Sequence, residues 1–427
     1  MREDFLYHLW RFQKFDSEAL KTSDGESLII LHPGSHNNLS GPDFFNAKVQ
    51  IGEQLWAGNV EIHLKSSDWY LHGHETDANY DNVILHVVWE HDAEIFRKDG
   101  SVIPTLALRN KVNNAILNSY NELLEKKHLK INCEKDFAGF EDFELEHWLE
   151  RLYFERLEKR SIQIEEIFSS TGNNWEATLF IMLSRSFGLN LNAEAFIAMA
   201  SSFDFKVVQK LAGDRFLLEA LFFGQCGIIK GEDKYALDLE KEYNYLKHKF
   251  SLNNAFLIQP QFFRLRPDNF PTIRLAQLAA VYSTKVNLFE QVITAKSLKD
   301  LYSLFEVEVS DYWTCHYNFG RPHSVRKKVP SRAFVDLVIM NCLLPLKDHY
   351  SKYMGQSNED LIQELICTIP VEKNSVVEIF NELRPRTARN AMHSQALLEL
   401  KKEYCDLDKC LHCELGASLL KKSPKYI

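Results

Sequence analysis

The chain has 427 residues, 45% hydrophobic and 26% charged, with a formal net charge of −9. That length builds a substantial core and more than one domain, and the composition is that of a globular protein. The acidic balance excludes a protein that coats nucleic acid over its whole surface, while a local basic groove stays compatible with it.

The opening MREDFLYHLWRFQKF is charged and amphipathic. It predicts a helix over 3–15 and lacks the apolar centre of a secretory signal. No apolar run reaches bilayer-spanning length, and the eight cysteines are scattered except for three near the C-terminus. A cytoplasmic protein with no membrane partner is expected. SLIILH (27–32) reads as a strand closed by turn residues at Pro33-Gly34 and Asn37-Asn38. FNAKVQI (45–51) and LWAGNVEIHL (55–64) flank a hairpin connection at Gly52-Glu53-Gln54. A helix around 68–81, the strand NVILHVVWE (82–90), a turn at Asp99-Gly100 and the segment SVIPTLAL complete an α/β unit with a mixed sheet.

Beyond about residue 113 the periodicity becomes helical. It begins over 113–127 and 141–168, then WEATLFIMLSRSFG (175–188) with Gly188 as a C-cap, and recurs as far as 387–404. The expected fold class is therefore α+β: an α/β domain over 1–125 and a mainly helical domain over 126–427. Three basic stretches, 264–280 with Arg264, Arg266 and Arg274, 321–332, and 384–390, are candidates for phosphate contact or for solvated loops.

The candidate site lies in GPDFFNAKVQIGEQLWAGNVEIHLKSSDWYLHGHETD (41–77). Side chains alternate across a strand, so Glu61, His63 and Lys65 share one face while Val60, Ile62 and Leu64 share the other. A hairpin can fold Asp43 back beside Glu61. Two carboxylates brought together favour a hard divalent cation, Mg²⁺ or Mn²⁺, with His63 or Lys65 positioning a water. The plainer alternative is a solvated Glu61–Lys65 ion pair with Asp43 capping a turn. His72, His74 and Asp77 follow, with His74 and Asp77 spaced to share a helix face, and His86 falls on the next strand. With His63 these could hold a metal through nitrogen ligands, or they could pack as ordinary histidines.

At Pro42-Asp43 and Glu61-Ile62-His63 the sequence resembles the PD-(D/E)XK nuclease superfamily. That resemblance implies a restriction-endonuclease-like core in the first quarter of the chain, with Asp43 and Glu61 as metal ligands. His63 stands where the usual Lys would be, and Lys65 is its substitute. Over most of its length the chain also resembles a bacterial family, domain of unknown function family 2851, through GPDFFNAKV, GNVEIHLKSSDWYLHGHETDANYDNVILHVVWEHD and YCDLDKCLHCELG. That family supplies no mechanism.

Near the C-terminus, Cys405, Cys410 and Cys413 form C-x₄-C-x₂-C. They suit one zinc ion with a fourth ligand from elsewhere, among Cys133, Cys315, His316 and His393, since His412 is awkwardly adjacent to Cys413. Three reduced core cysteines are the equal alternative. An iron–sulfur cluster with Cys133 as an early ligand, which some nucleases resembling this superfamily hold, is the third. The expected activity is a metal-dependent phosphodiesterase acting on DNA or RNA. Its rival is an inactive nuclease-like scaffold with a structural metal at the cysteines.

Overall fold

The computed structural model describes residues 1–37, 41–124, 130–253 and 258–421. Asn38 and the end of the helix expected over 113–127 lie outside them. The chain divides into two compact units, Met1–Trp148 with Leu400–Ile427, and Leu149–Glu399. The C-terminal cysteines thus belong to the unit of the sheet, not to the helical one.

In the first unit, helix α1 (Glu3–Phe12) precedes strands β1 (Leu28–His32), β2 (Ser35–His36), β3 (Phe44–Ile51) and β4 (Gln54–Lys65). One helical turn, α2 (Asp68–Leu71), then β5 (Val83–Glu90), β6 (Thr105–Ala107) and α3 (Asn114–Leu124) follow. The six strands form one mixed sheet in the order β1-β3-β4-β5-β6, with β2 also on β3. The β1/β3 and β3/β4 pairs are antiparallel, whereas β4/β5 and β5/β6 are parallel.

One sheet face is a hydrophobic core. Phe5, Leu6, Leu9 and Trp10 of α1 pack with Val60 and Ile62 of β4 and Leu85 and Val87 of β5. The period-2 alternation that buries Val60 and Ile62 there sends Glu61 and His63 to the opposite face. That face carries a smaller apolar cluster of Trp69, Val83, Ile95 and Ile103 with Tyr80.

Two expectations are corrected in this unit. α1 stops at Phe12 because Gln13 adopts a left-handed cap (φ 48°). The helix expected around 68–81 is only the single turn α2, followed by turns and a 3₁₀ turn at Ala78–Tyr80. Gly73, at φ +72°, breaks the segment between them.

The second unit is helical, built from most of α4 (Asp142–Ser170), α5 (Trp175–Ser201), and α6 to α9 (Lys206–Leu211, Arg215–Gln225, Lys234–Lys249 and Pro271–Thr284), with further short helices up to Ala391–Glu399. α9 is its central rod, buried at every position from Pro271 to Tyr282. As expected, the first helical half of α5 ends at Gly188, and a kink at Leu189 joins it to the second half. A Cβ at Gly188 would stand 2.9 Å from the backbone nitrogen of Ala193, so glycine permits a tight kink, and Leu189 takes the strained conformation (φ 54°, ψ −164°). No helix among the described residues is long and apolar enough to cross a membrane.

Glu219 on α7 is fully buried and accepts hydrogen bonds from Tyr235 and Ser310. Burial pushes its carboxyl up from 4.5 to about 7. Between those values the folded protein keeps a proton that the unfolded chain releases. The contribution is therefore complete below pH 4.5 and is lost as pH rises through about 7. Glu219→Gln is expected to remove up to roughly 3 kcal/mol of pH-dependent destabilisation. The check is Tm measured from acid to neutral pH, where the variant should show a flatter profile than the parent. An unchanged slope would place the responsible ionisation elsewhere.

Candidate metal centre

β3 and β4 bring the two carboxylates together at the start of their pairing, where Phe44 opposes Val60. The backbone N–H of Asp43 donates to Glu61 Oε2 (3.1 Å), and that of Ile62 donates to Asp43 Oδ2 (2.9 Å). Each carboxylate is thus braced by the other's strand. The Tyr7 hydroxyl of α1 donates to Asp43 as well. Glu61 and His63 are 4% and 2% exposed on the central strand, so this is a buried face of the sheet and no solvated ion pair.

The imidazoles close the other side. His63 Nδ1 lies 2.8 Å from His86 Nε2, on the neighbouring strand β5, and His63 Nε2 lies 3.0 Å from His72 Nδ1. Glu61 Oε1 is 3.4 Å from His74 Nε2 and 3.6 Å from His63 Nε2. His74 stacks on Tyr80 with centroids 3.8 Å apart, and Trp69 meets both His74 and His86 edge-on. The broken helix is what makes this possible. A continuous helix would carry His74 away along its axis, whereas the turns after α2 fold His72 and His74 back over His63.

His63, His72 and His74 each offer a ring nitrogen, and the three lie within 4.8 Å of one another. Among the described residues this is the one group of three or more His, Cys, Asp or Glu ligand atoms so close. Three imidazoles with a carboxylate at hand suit a transition ion such as zinc or manganese better than an all-oxygen Mg²⁺ site. His86 stands behind His63 as an orienting partner, the usual companion of a metal-bound imidazole.

The electrostatics point the same way. Burial pushes the carboxyls of Asp43 and Glu61 up, and Glu61 adds to the effect on Asp43. Burial and the neighbouring imidazoles push His63 down to about 2, so it stays neutral. No Lys or Arg pairs with either carboxylate among the described residues. The cluster is rich in electron-pair donors and poor in cations.

The other predicted ligands stand apart. Lys65 is exposed at the end of β4, where its charge acts on Asp92 and its N–H donates to Asp68. Asp77 accepts from the N–H of Asn79 (2.9 Å) to cap the 3₁₀ turn, and its charge reaches His74. Tyr7, Trp69 and Tyr80 frame the site without having been singled out in the sequence. Only the packing of α1 and of the turns against the sheet brings them there.

Cys405, Cys410 and Cys413 do line one small cavity of about 20 Å³, and Cys133 joins them, while Cys315, His316 and His393 belong to the other unit. A tetrahedral zinc would hold thiolates about 3.8 Å apart, given Zn–S near 2.3 Å. The sulfurs are not gathered at ligand distance. The expectation of zinc or an iron–sulfur cluster at this segment is therefore corrected to buried thiols. Burial pushes Cys413 up to about 12 and raises Cys133, Cys405 and Cys410 too, as expected of protonated thiols in an apolar pocket.

Two of the basic stretches are largely spent inside the helical unit. Arg274 is buried, donating to Gln277 and Asn269 with its guanidinium over Phe334. Arg326 pairs with Asp268, Lys327 with Glu308 and Arg332 with Asp336, while Lys328 donates to backbone carbonyls. Arg274 and Lys328 thus serve packing, whereas Arg326, Lys327 and Arg332 form exposed ion pairs.

The sequence profile of a family described as protein of unknown function (DUF2851) matches residues 3–375, most of the chain. The chain belongs to that family. The match takes in the whole sheet of this DUF2851 protein but ends before the C-terminal cysteines, so YCDLDKCLHCELG lies outside it. No curated protein and no solved structure matches the chain, and the PD-(D/E)XK resemblance gains no support from the comparisons.

Proposed function

We propose that this DUF2851 protein is a metal-dependent phosphodiesterase of nuclease type, with its centre at His63, His72, His74 and Glu61. One observation carries the reading: a buried carboxylate, Glu61, a half-buried one, Asp43, and three imidazoles converge with no Lys or Arg among the described residues to balance them. Burying unpaired carboxylates costs several kcal/mol, roughly, for each ion, and a divalent cation relieves that cost. A bound cation would supply Lewis acidity and lower the pKa of water. His63, His72 and His74 would hold it, with Glu61 completing the donor set and His86 fixing the ring of His63. Asp43, held by Tyr7 and by the Ile62 N–H, is placed to accept a proton from the attacking water. The Pro42-Asp43 and Glu61-x-His63 pattern on paired strands favours a phosphodiester of DNA or RNA and a restriction-endonuclease-like core.

The test is calorimetric titration of metal-stripped protein with Zn²⁺, Mn²⁺ and Mg²⁺, then cleavage assays on single- and double-stranded DNA and on RNA. One transition ion per chain and cleavage that follows it are expected. Failure to bind any of the three ions would sink the proposal. A second reading, a metal-holding scaffold without catalysis, is favoured by the placement of Lys65 outside the cluster. It is chosen if the ion binds and no nucleic acid is cut.

A further inference from the structure

The helical unit holds a second cavity that the proposed centre does not use. Its volume is about 880 Å³, at the upper end of the range of small-molecule sites. Met182, Leu189, Val338 and Leu398 share its lining with Arg156, Arg160 and Arg185.

The charges in this cavity are unbalanced. Arg156 donates to Gln395 (2.8 Å) and to Glu399 (3.3 Å), but Lys159 takes the other oxygen of the same Glu399. Arg160 has only a long hydrogen bond to Gln163 (3.4 Å), and Arg185 is exposed with no acidic partner among the described residues. Two other acids line the cavity. Glu372 accepts from Gln395 (2.9 Å), and Glu194 is exposed; neither pairs with an arginine among the described residues. The lining therefore carries three guanidiniums, and the two carboxylates that share it pair with none of them among the described residues. Burial first, and then the charges of Arg156 and Arg185, hold Arg160 down to about 10.

The backbone is shaped for this space too. Leu189, at the kink of α5, keeps its strained conformation on the cavity wall. A strained residue of that kind costs of order 1–3 kcal/mol and persists where the surroundings require it. Residues on both sides of the kink, Met182 and Arg185 before it and Leu191 and Glu194 after it, line the cavity.

We propose that this cavity binds an organic phosphate, its oxyanion taken by Arg160 and Arg185 and its organic body by the apolar lining. A phosphate suits two under-partnered guanidinium forks better than a monocarboxylate does, since it brings more acceptor oxygens and up to two charges. The inference stands apart from the metal centre, whose ligands all lie in the other unit.

The experiment titrates the full chain with phenyl phosphate, inorganic phosphate, benzoate and phenol. Phenyl phosphate should bind about tenfold or more tighter than the other three. Arg185→Gln and Arg160→Gln should each weaken it by roughly tenfold or more, with Arg160→Lys intermediate. Arg185 is exposed, so its replacement keeps the test valid if a variant of Arg160 fails to fold. Glu61→Gln should leave phenyl phosphate binding unchanged, which separates this cavity from the metal centre. Equal affinity for inorganic and phenyl phosphate, no detectable binding, or indifference to Arg185→Gln would each overturn the proposal.

Discussion

Glu61→Gln is expected to abolish metal-dependent cleavage while leaving the metal-free fold at least as stable as the parent. Gln keeps the shape of the side chain, and its carbonyl can still accept the Asp43 N–H that reaches Glu61 Oε2 at 3.1 Å. What it removes is a carboxyl without a Lys or Arg partner whose ionisation burial already opposes, so the removal costs the empty fold nothing. With metal present the comparison reverses. A ligand at 100 times its Kd stabilises the parent by about 2.7 kcal/mol, and the variant should forfeit most of that gain. Loss of several kcal/mol of transition-state stabilisation corresponds to a fall of roughly 10²–10⁴ in rate.

His63→Ala is a harsher version of the same test. It removes a ligand and strips both His86 and His72 of a hydrogen-bond partner, so it should weaken metal binding and lower the metal-free Tm together. The measurements are Tm with EDTA and with Mn²⁺ or Zn²⁺, alongside cleavage rates. A Glu61→Gln protein that still gains stability with metal and cuts at the parent rate would remove Glu61 from the site.

Gly58→Ala should be the most damaging small substitution on the central strand β4, at about 3 kcal/mol. A Cβ at position 58 would stand 2.4 Å from Ile84 Cγ2 and 2.7 Å from the carbonyl oxygen of Asn82. The isoleucine methyl can shift, but the Asn82 carbonyl cannot. It accepts the Asn59 N–H at 2.9 Å where β4 and β5 begin to pair. Relief comes only by parting the two parallel strands, and the register of Glu61 against His86 lies three residues further along the same pair. The expected result is a lower urea midpoint and a weaker metal affinity in the same variant. An unchanged midpoint would mean that the strands accommodate a methyl group at this crossing.

The strands themselves were legible because their signals are local. Alternation along VEIHL assigns Val60 and Ile62 to one face and Glu61 and His63 to the other, and the hairpin around Gly52 brings Asp43 back beside Glu61. Both follow from a period of two and a short turn, which a sequence displays without any knowledge of the rest of the chain. The change to helical periodicity was legible for the same reason.

What only the tertiary structure decided is which chemistry-bearing groups meet. His72 and His74 reach His63 because the chain turns back after a single helical turn, and the identity of that turn depends on packing against Trp69 and Tyr80. Lys65, on the same strand face as Glu61 and His63, leaves the cluster because the strand runs out to solvent there. Arg274, from a basic run that reads as a phosphate contact, is buried against Phe334, sixty residues away in sequence, while Arg326 and Lys327 find acidic partners in Asp268 and Glu308 at the surface. The C-terminal thiols gather in one cavity with Cys133 yet miss ligand distance, which no spacing rule could reveal. Periodicity is a property of neighbouring residues and survives in the sequence. Convergence within a few ångströms is a property of long-range packing, set by the summed burial of many apolar side chains, and no single motif contains it.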